Sequence, residues 1–107
     1  MGRLLAYHLV DTQTLDLTAN PVDNSAWVQI VSSTPKPCSA AEVYNGSNSL
    51  LMLAVGSPGS EVAIPYTVLP GRTVLIPFEV SKGQRISAKA ATATVSNTDY
   101  LALNLMG

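Results

Sequence analysis

Very few residues in this chain have a type and a setting that permit chemistry. His8 is the only histidine, and it sits between Tyr7 and Leu9 in a strand-like run. No Gly-x-Ser-x-Gly elbow occurs to give it a nucleophile, so it reads as a strand residue, exposed or hydrogen-bonded. Cys38 is the only cysteine, within Pro35-Lys36-Pro37-Cys38-Ser39. A reactive thiolate needs a histidine or cation beside it. Lys36 is near, but Pro37 stiffens the segment between them, and an inert thiol is expected. A lone cysteine also excludes an intrachain disulfide and a multi-cysteine zinc site. The seven carboxylates, Asp11, Asp16, Asp23, Glu42, Glu61, Glu79 and Asp99, are scattered. Glycoside hydrolysis needs two of them facing one cleft at a fixed separation. Asp11 and Asp16 are expected to bracket and cap a turn. No calcium loop of the D-x-D-x-D-G kind is present. Gly56-Ser-Pro-Gly-Ser-Glu61 is glycine-rich, but it lacks the Gly-Lys-Ser/Thr ending of a phosphate loop, and Pro58 removes an amide donor. Asn45-Gly46-Ser47 matches a glycosylation sequon at the frequency that chance supplies in this composition. The expectation is a protein that is not an enzyme, with no catalytic, cofactor-binding or metal-binding residues and no cofactor.

The elements that carry these residues read as strands. Turn signals recur at Asn20-Pro21, Thr34-Pro-Lys-Pro37, Asn45-Gly-Ser-Asn48, Gly56-Ser-Pro-Gly59, Pro70-Gly71, Ser81-Lys-Gly83 and Ser96-Asn97. Short runs rich in Val, Ile, Leu, Thr and Tyr lie between them, which is the signature of an all-β sandwich or barrel. Eight or nine strands are expected, over 4–10, 14–18, 26–32, 41–45, 49–55, 61–68, 73–79, 85–92 and 99–105. Val28 and Ile30 should share one face, with Trp27, Gln29 and Val31 on the other. Residues 43–55 read as a hairpin closed by Asn45–Asn48, whose residues tolerate positive φ. Pro65 and Pro77 demote their strands to edges or mark bulges. Val28, Ile30, Leu51, Leu53, Leu75, Ile86, Leu101 and Leu103 are the expected core. The aromatic residues, about one per strand, suit core packing and cross-strand pairs better than a binding platform.

Composition narrows the function classes. The 107 residues make one domain, 1–107. Charged residues are 12% of the chain, about half the usual ~25%. The net charge is −1, and no basic field exists to hold a phosphate backbone, so no nucleic-acid partner is expected. No apolar run approaches the ~18 residues of a membrane span, and the first ten residues do not read as a signal peptide, so no membrane partner and synthesis in a cytoplasm are expected. A surface short of charge does little to keep copies apart. The run Leu4-Leu5-Ala6-Tyr7-His8-Leu9-Val10 is hazardous as a bare edge and reads as an intersubunit strand, 1–10. Pro35-Lys36-Pro37 is stiffened in advance and docks with little ordering cost. Leu4, Leu5, Tyr7, Leu9, Pro35, Lys36 and Pro37 are therefore the expected interface of a homo-oligomer, with a trimer as the leading arrangement.

From Val43 to Gly107 a series of stretches carries a family likeness: Tyr44-Asn-Gly-Ser-Asn-Ser-Leu-Leu-Met-Leu-Ala-Val-Gly56, Gly59-Ser-Glu61 and Pro70-Gly71. They continue with Ile76-Pro-Phe-Glu-Val80, Lys82-Gly-Gln-Arg-Ile-Ser-Ala-Lys-Ala90 and Tyr100-Leu-Ala-Leu-Asn-Leu-Met-Gly107, and the likeness covers about 60% of the chain. In these stretches the chain resembles short β-rich virion proteins of tailed bacteriophages. Residues 1–42 carry no matching pattern. The resemblance implies a jelly-roll-like, two-sheet antiparallel sandwich that decorates or cements a capsid, with the major capsid protein or another virion protein as partner and the virion as its location. It transfers no catalytic residues. A tail, baseplate or fibre component, or a small carbohydrate-binding module, are the alternatives; copy number separates the first group, and clustered, exposed aromatics would favour the last.

Overall fold

The computed structural model describes residues 8–57, 59–92 and 100–107, and all regular structure among them is β. Eight strands form: β1 (Leu9–Asp16), β2 (Val28–Val31), β3 (Ala40–Asn45), β4 (Leu51–Gly56), β5 (Val62–Val68), β6 (Thr73–Ile76), β7 (Arg85–Ala90) and β8 (Tyr100–Met106). They build two four-stranded antiparallel sheets, sheet A in the order β1-β8-β3-β6 and sheet B in the order β2-β7-β4-β5. Only β4 and β5 are both consecutive and in the same sheet; every other connection crosses between sheets. This is the strand order of a double-sheet jelly roll.

Period-two alternation explains most of the packing. In β8, Leu101, Leu103 and Leu105 are buried while Ala102, Asn104 and Met106 are partly exposed. Ile86, Ala88 and Ala90 of β7 point inward from sheet B, level with Val55, Leu53 and Leu51 of β4. The core is aliphatic: Leu17, Leu51, Leu53, Ile76, Ile86, Leu101, Leu103 and Leu105 are its largest fully buried side chains. Ile30, Leu51, Leu53, Ile86, Leu101 and Leu103 are buried as expected, and Val28 is half-buried. Leu75 is a correction. Its register partner is Glu42, which puts it on the outer face of sheet A, while Val74 and Ile76 take the inward phase. Thr73-Val-Leu-Ile76 has three apolar residues in a row, so its alternation carries no phase.

Four further expectations change. The proposed strands 4–10 and 14–18 become one continuous strand, β1, in the described part; Asp11 lies inside it rather than at a turn. Only Asp16 caps, accepting the Thr18 N–H at 2.9 Å. The expected 43–55 hairpin is instead a crossing between sheets, because β3 pairs with β6 and β8 while β4 pairs with β5 and β7. None of Asn45–Asn48 has positive φ. A register shift between Gln29 and Val31 buries Ile30 and Val31 together, so Val31 leaves the Trp27–Gln29 face. The prolines act as expected: Pro65 lies in edge strand β5, across the register shift opposite Met52–Ala54, and Pro77 follows directly on edge strand β6.

Candidate functional site

The residues singled out for chemistry do not converge. His8 is exposed and pairs through its backbone with Gly107, at 3.0 and 2.8 Å. Cys38 is buried, and its thiol donates to the Lys36 carbonyl at 3.3 Å. Burial pushes that thiol up, and the charge of Asp11 pushes it further, so the thiolate is disfavoured. Among the described residues no three His, Cys, Asp or Glu side chains come together, and no ligand-sized cavity is present. Asp23 is held below the usual carboxylate range by the Ser25 hydroxyl and by the Ser25 N–H, the latter at 2.8 Å, inside one turn.

Two polar assemblies have structural work. Asn45 is fully buried in the β3–β4 crossing. Its Nδ2 donates to the carbonyls of Ser49 at 2.7 Å and Val68 at 2.9 Å, and its Oδ1 accepts from the Ser47 N–H at 3.0 Å and the Ser47 hydroxyl at 2.7 Å. Its backbone pairs with Arg72 and Gly71. The sequon asparagine is therefore a clasp that fastens the end of β3 to the start of β4 and the end of β5. The second assembly lies at the other end of β5. Glu61 accepts from Arg85 Nε and from the Gly59 N–H, while Arg85 Nη1 donates to Gln29 Oε1 at 3.0 Å. The Arg85 hydrogen bond holds the Glu61 carboxyl below its usual range.

Among the described residues no aromatic side chain is fully buried, though Phe78 packs against the edge of the core. Trp27, Tyr66 and Tyr100 are exposed, and Tyr44 and Phe78 are half-buried. Lys89 Nζ lies 5.7 Å from the Trp27 ring centroid, a cation–π contact. Tyr44 and Tyr100 pack with centroids 5.3 Å apart and planes tilted by 50°. Beside them, the outer face of sheet A carries a polar row, with Thr12 Oγ1 donating to Asn104 Oδ1 and Asn104 Nδ2 to Glu42 Oε1, both at 3.0 Å. Rings at that tilt brace each other and do not form one flat stacking surface.

Of the expected interface residues, Leu4, Leu5 and Tyr7 lie outside the described residues. Leu9 is 63% exposed. Pro35, Lys36 and Pro37 are exposed between two anchors: Thr34, whose hydroxyl donates to the Ser81 carbonyl, and Cys38, bridged through its backbone to Val80. The most concentrated apolar surface lies elsewhere. Eight large hydrophobic side chains are exposed among the described residues, and five belong to residues 62–75: Val62, Tyr66, Leu69, Val74 and Leu75. Here edge strand β5 of sheet B and edge strand β6 of sheet A are joined by a tight turn, with Arg72 N–H donating to Leu69 O at 3.2 Å. Gly71 sits at φ 69°, the left-handed region that a turn of this kind needs at its third residue. Val62, Ile64, Tyr66 and Val68 share one phase of β5, but only Val68 is deep enough to be fully covered. Strand patterning alone does not reveal this flank. The available signal was that residues 62–76 hold a single charge, Arg72.

No protein-family model, no curated protein and no solved structure matches the chain.

Proposed function

We propose that the chain is a structural protein of a bacteriophage particle, a capsid decoration or cement protein that stabilises the shell through non-covalent contacts repeated over many copies. The observation that carries this reading is the β5–β6 flank, an apolar surface displayed on a rigid jelly roll whose charge content is about half the norm. The sequence resemblance over residues 43–107 agrees with it. The stiffened Pro35–Pro37 segment, anchored on both sides, and the run 1–10 supply attachment points to the major capsid protein. The mechanism is burial of apolar and hydroxyl-rich surface across subunit junctions, where a standard contact buries ~1,600 Å². A tail, baseplate or fibre position would use the same chemistry. A carbohydrate-binding module is less favoured, because the tilted Tyr44–Tyr100 pair leaves no flat platform.

The test is to purify particles made with this chain and count its copies by quantitative mass spectrometry, then wash them in ~1 M salt. Hundreds of copies retained in salt support the capsid role, and a few dozen or fewer move the chain to the tail. Particles that assemble and keep their stability without the chain, and never contain it, sink the proposal.

A further inference from the structure

We infer that the β5–β6 flank is the contact between two copies of this chain, paired about a two-fold axis. The inference rests on the assembly reading and on the same flank, and it names the occupant that the reading leaves open.

Size is the first argument. Val62 is 70% exposed, Leu69 57%, Leu75 48%, Tyr66 39% and Val74 38%. Leu75 lies at the outer rim, because it points to the face of sheet A opposite to Val74; the other four display on the order of 350 Å² of mainly apolar surface, within the range of a functional patch. A standard interface takes ~800 Å² from each partner, a little over half of it apolar. The flank thus supplies about the apolar share of one side of such an interface.

Charge selects the occupant. Arg72 is the single charged residue between 62 and 76. Two such flanks can meet with few like charges opposed, whereas a charged partner surface would be desolvated against groups that cannot pair with it. An apolar patch is complementary to itself, which is what a two-fold contact requires. A ring of three would need two different surfaces on each copy, and one flank is the single concentration of exposed apolar side chains among the described residues.

The prolines limit the contact. Pro65 interrupts edge strand β5 within its register shift, while Pro70 and Pro77 bracket the four residues of β6. A long strand-addition ladder cannot form there. The side chains can still be buried, so the pairing closes at two copies and does not propagate.

The test uses the full chain in sedimentation velocity at micromolar concentration. Compared are the unsubstituted chain, a double variant with Val62→Lys and Leu69→Lys, and a control with Thr14→Lys, an exposed position of β1 on the far edge. The two substituted flank positions are the most exposed, so the fold should be kept, and circular dichroism and melting verify it. The unsubstituted chain and the control should sediment as dimers. The double variant should be monomeric, with a dissociation constant raised at least ~100-fold. An unsubstituted chain that stays monomeric overturns the inference, as does a double variant that stays dimeric. Retention on particles is measured alongside. A dimer that never joins particles defeats the proposed function and leaves this inference standing. A monomer that binds particles, and is released by the double substitution, overturns the inference and gives the flank to the capsid protein.

Discussion

The sandwich has two flanks, closed by different means. On one, edge strands β1 and β2 are joined by the eleven residues Leu17 to Trp27. That connection folds inward: Leu17 and Val22 are fully buried, and the Asp23 carbonyl accepts the Ala90 N–H at 3.0 Å. On the other, β5 and β6 are joined by a turn with no residues to spare. Asn45 clasps one end of β5 through the Val68 carbonyl, and Glu61 with Arg85 pins the other. The first flank is filled by an apolar plug. The second is fastened at its ends and left open between them. β2 and β6 are both four-residue edge strands without a charge, yet Ile30 and Val31 are buried while Val74 and Leu75 are exposed. Part of the difference lies in the strands, since the register shift in β2 turns Ile30 and Val31 inward together and pairing with Glu42 turns Leu75 outward; the rest lies in what the neighbouring connection covers.

The contrast can be broken first at the plug. Leu17→Ala should cost about 3–5 kcal/mol in a denaturant titration, from lost transfer energy and the cavity left behind. A cost under about 1 kcal/mol would mean that the connection does not seal that flank. At the clasp, Asn45→Ala should cost about 2–3 kcal/mol, because the Ser49 and Val68 carbonyls lose their buried donor. Hydrogen exchange in that variant should rise at the β5 end of the molecule while the β1–β2 flank stays protected.

The pin makes a smaller, pH-dependent contribution. Glu61 has a lowered pKa in the folded state, so the unfolded chain binds more protons in acid. Its stabilisation is present above the unfolded value of about 4.3 and is lost as pH falls through the folded value below it. Melting followed between pH 7 and pH 2 should show this loss, and Glu61→Gln should flatten that part of the curve. The smallest effect belongs to the open flank: Val62→Ala should change the stability of the isolated monomer by less than about 0.5 kcal/mol, because little contact is lost there. A larger cost would show that the flank is already covered within one chain.

Sequence patterning foretold the class, the number of strands and most inward faces, because Leu101, Leu103 and Leu105 or Ile86, Ala88 and Ala90 state their phase by alternation. It failed wherever a distant partner decides. Asn45-Gly46 is equally at home in a hairpin or in a crossing; the choice is made by the Val68 carbonyl, 23 residues away. Leu75 was misassigned because Val74, Leu75 and Ile76 are all apolar, and only pairing with β3 tells them apart. The exposed flank was hidden for a related reason: uncharged strands look alike whether or not a connection covers them. Leu4, Leu5 and Tyr7 fall outside the described residues, and Leu9, Pro35, Lys36 and Pro37 are displayed without converging on the flank.

The clasp also governs how the chain ages. In an unfolded chain, Asn followed by Gly is the pair most open to deamidation: the glycine amide nitrogen attacks the asparagine Cγ, a succinimide closes, ammonia leaves, and water then opens the ring to aspartate or isoaspartate. Here Gly46 N–H is engaged with the Tyr100 carbonyl at 3.1 Å, and both Nδ2 hydrogens of Asn45 are committed to carbonyls. The folded state withholds both nucleophile and leaving group. Each excursion that opens the β3–β4 crossing exposes them, and the aspartate product would set a carboxylate against the Ser49 and Val68 carbonyls. Isoaspartate at position 45 would therefore accumulate as an irreversible record of local opening, slow in the closed fold and fast wherever the clasp has been released.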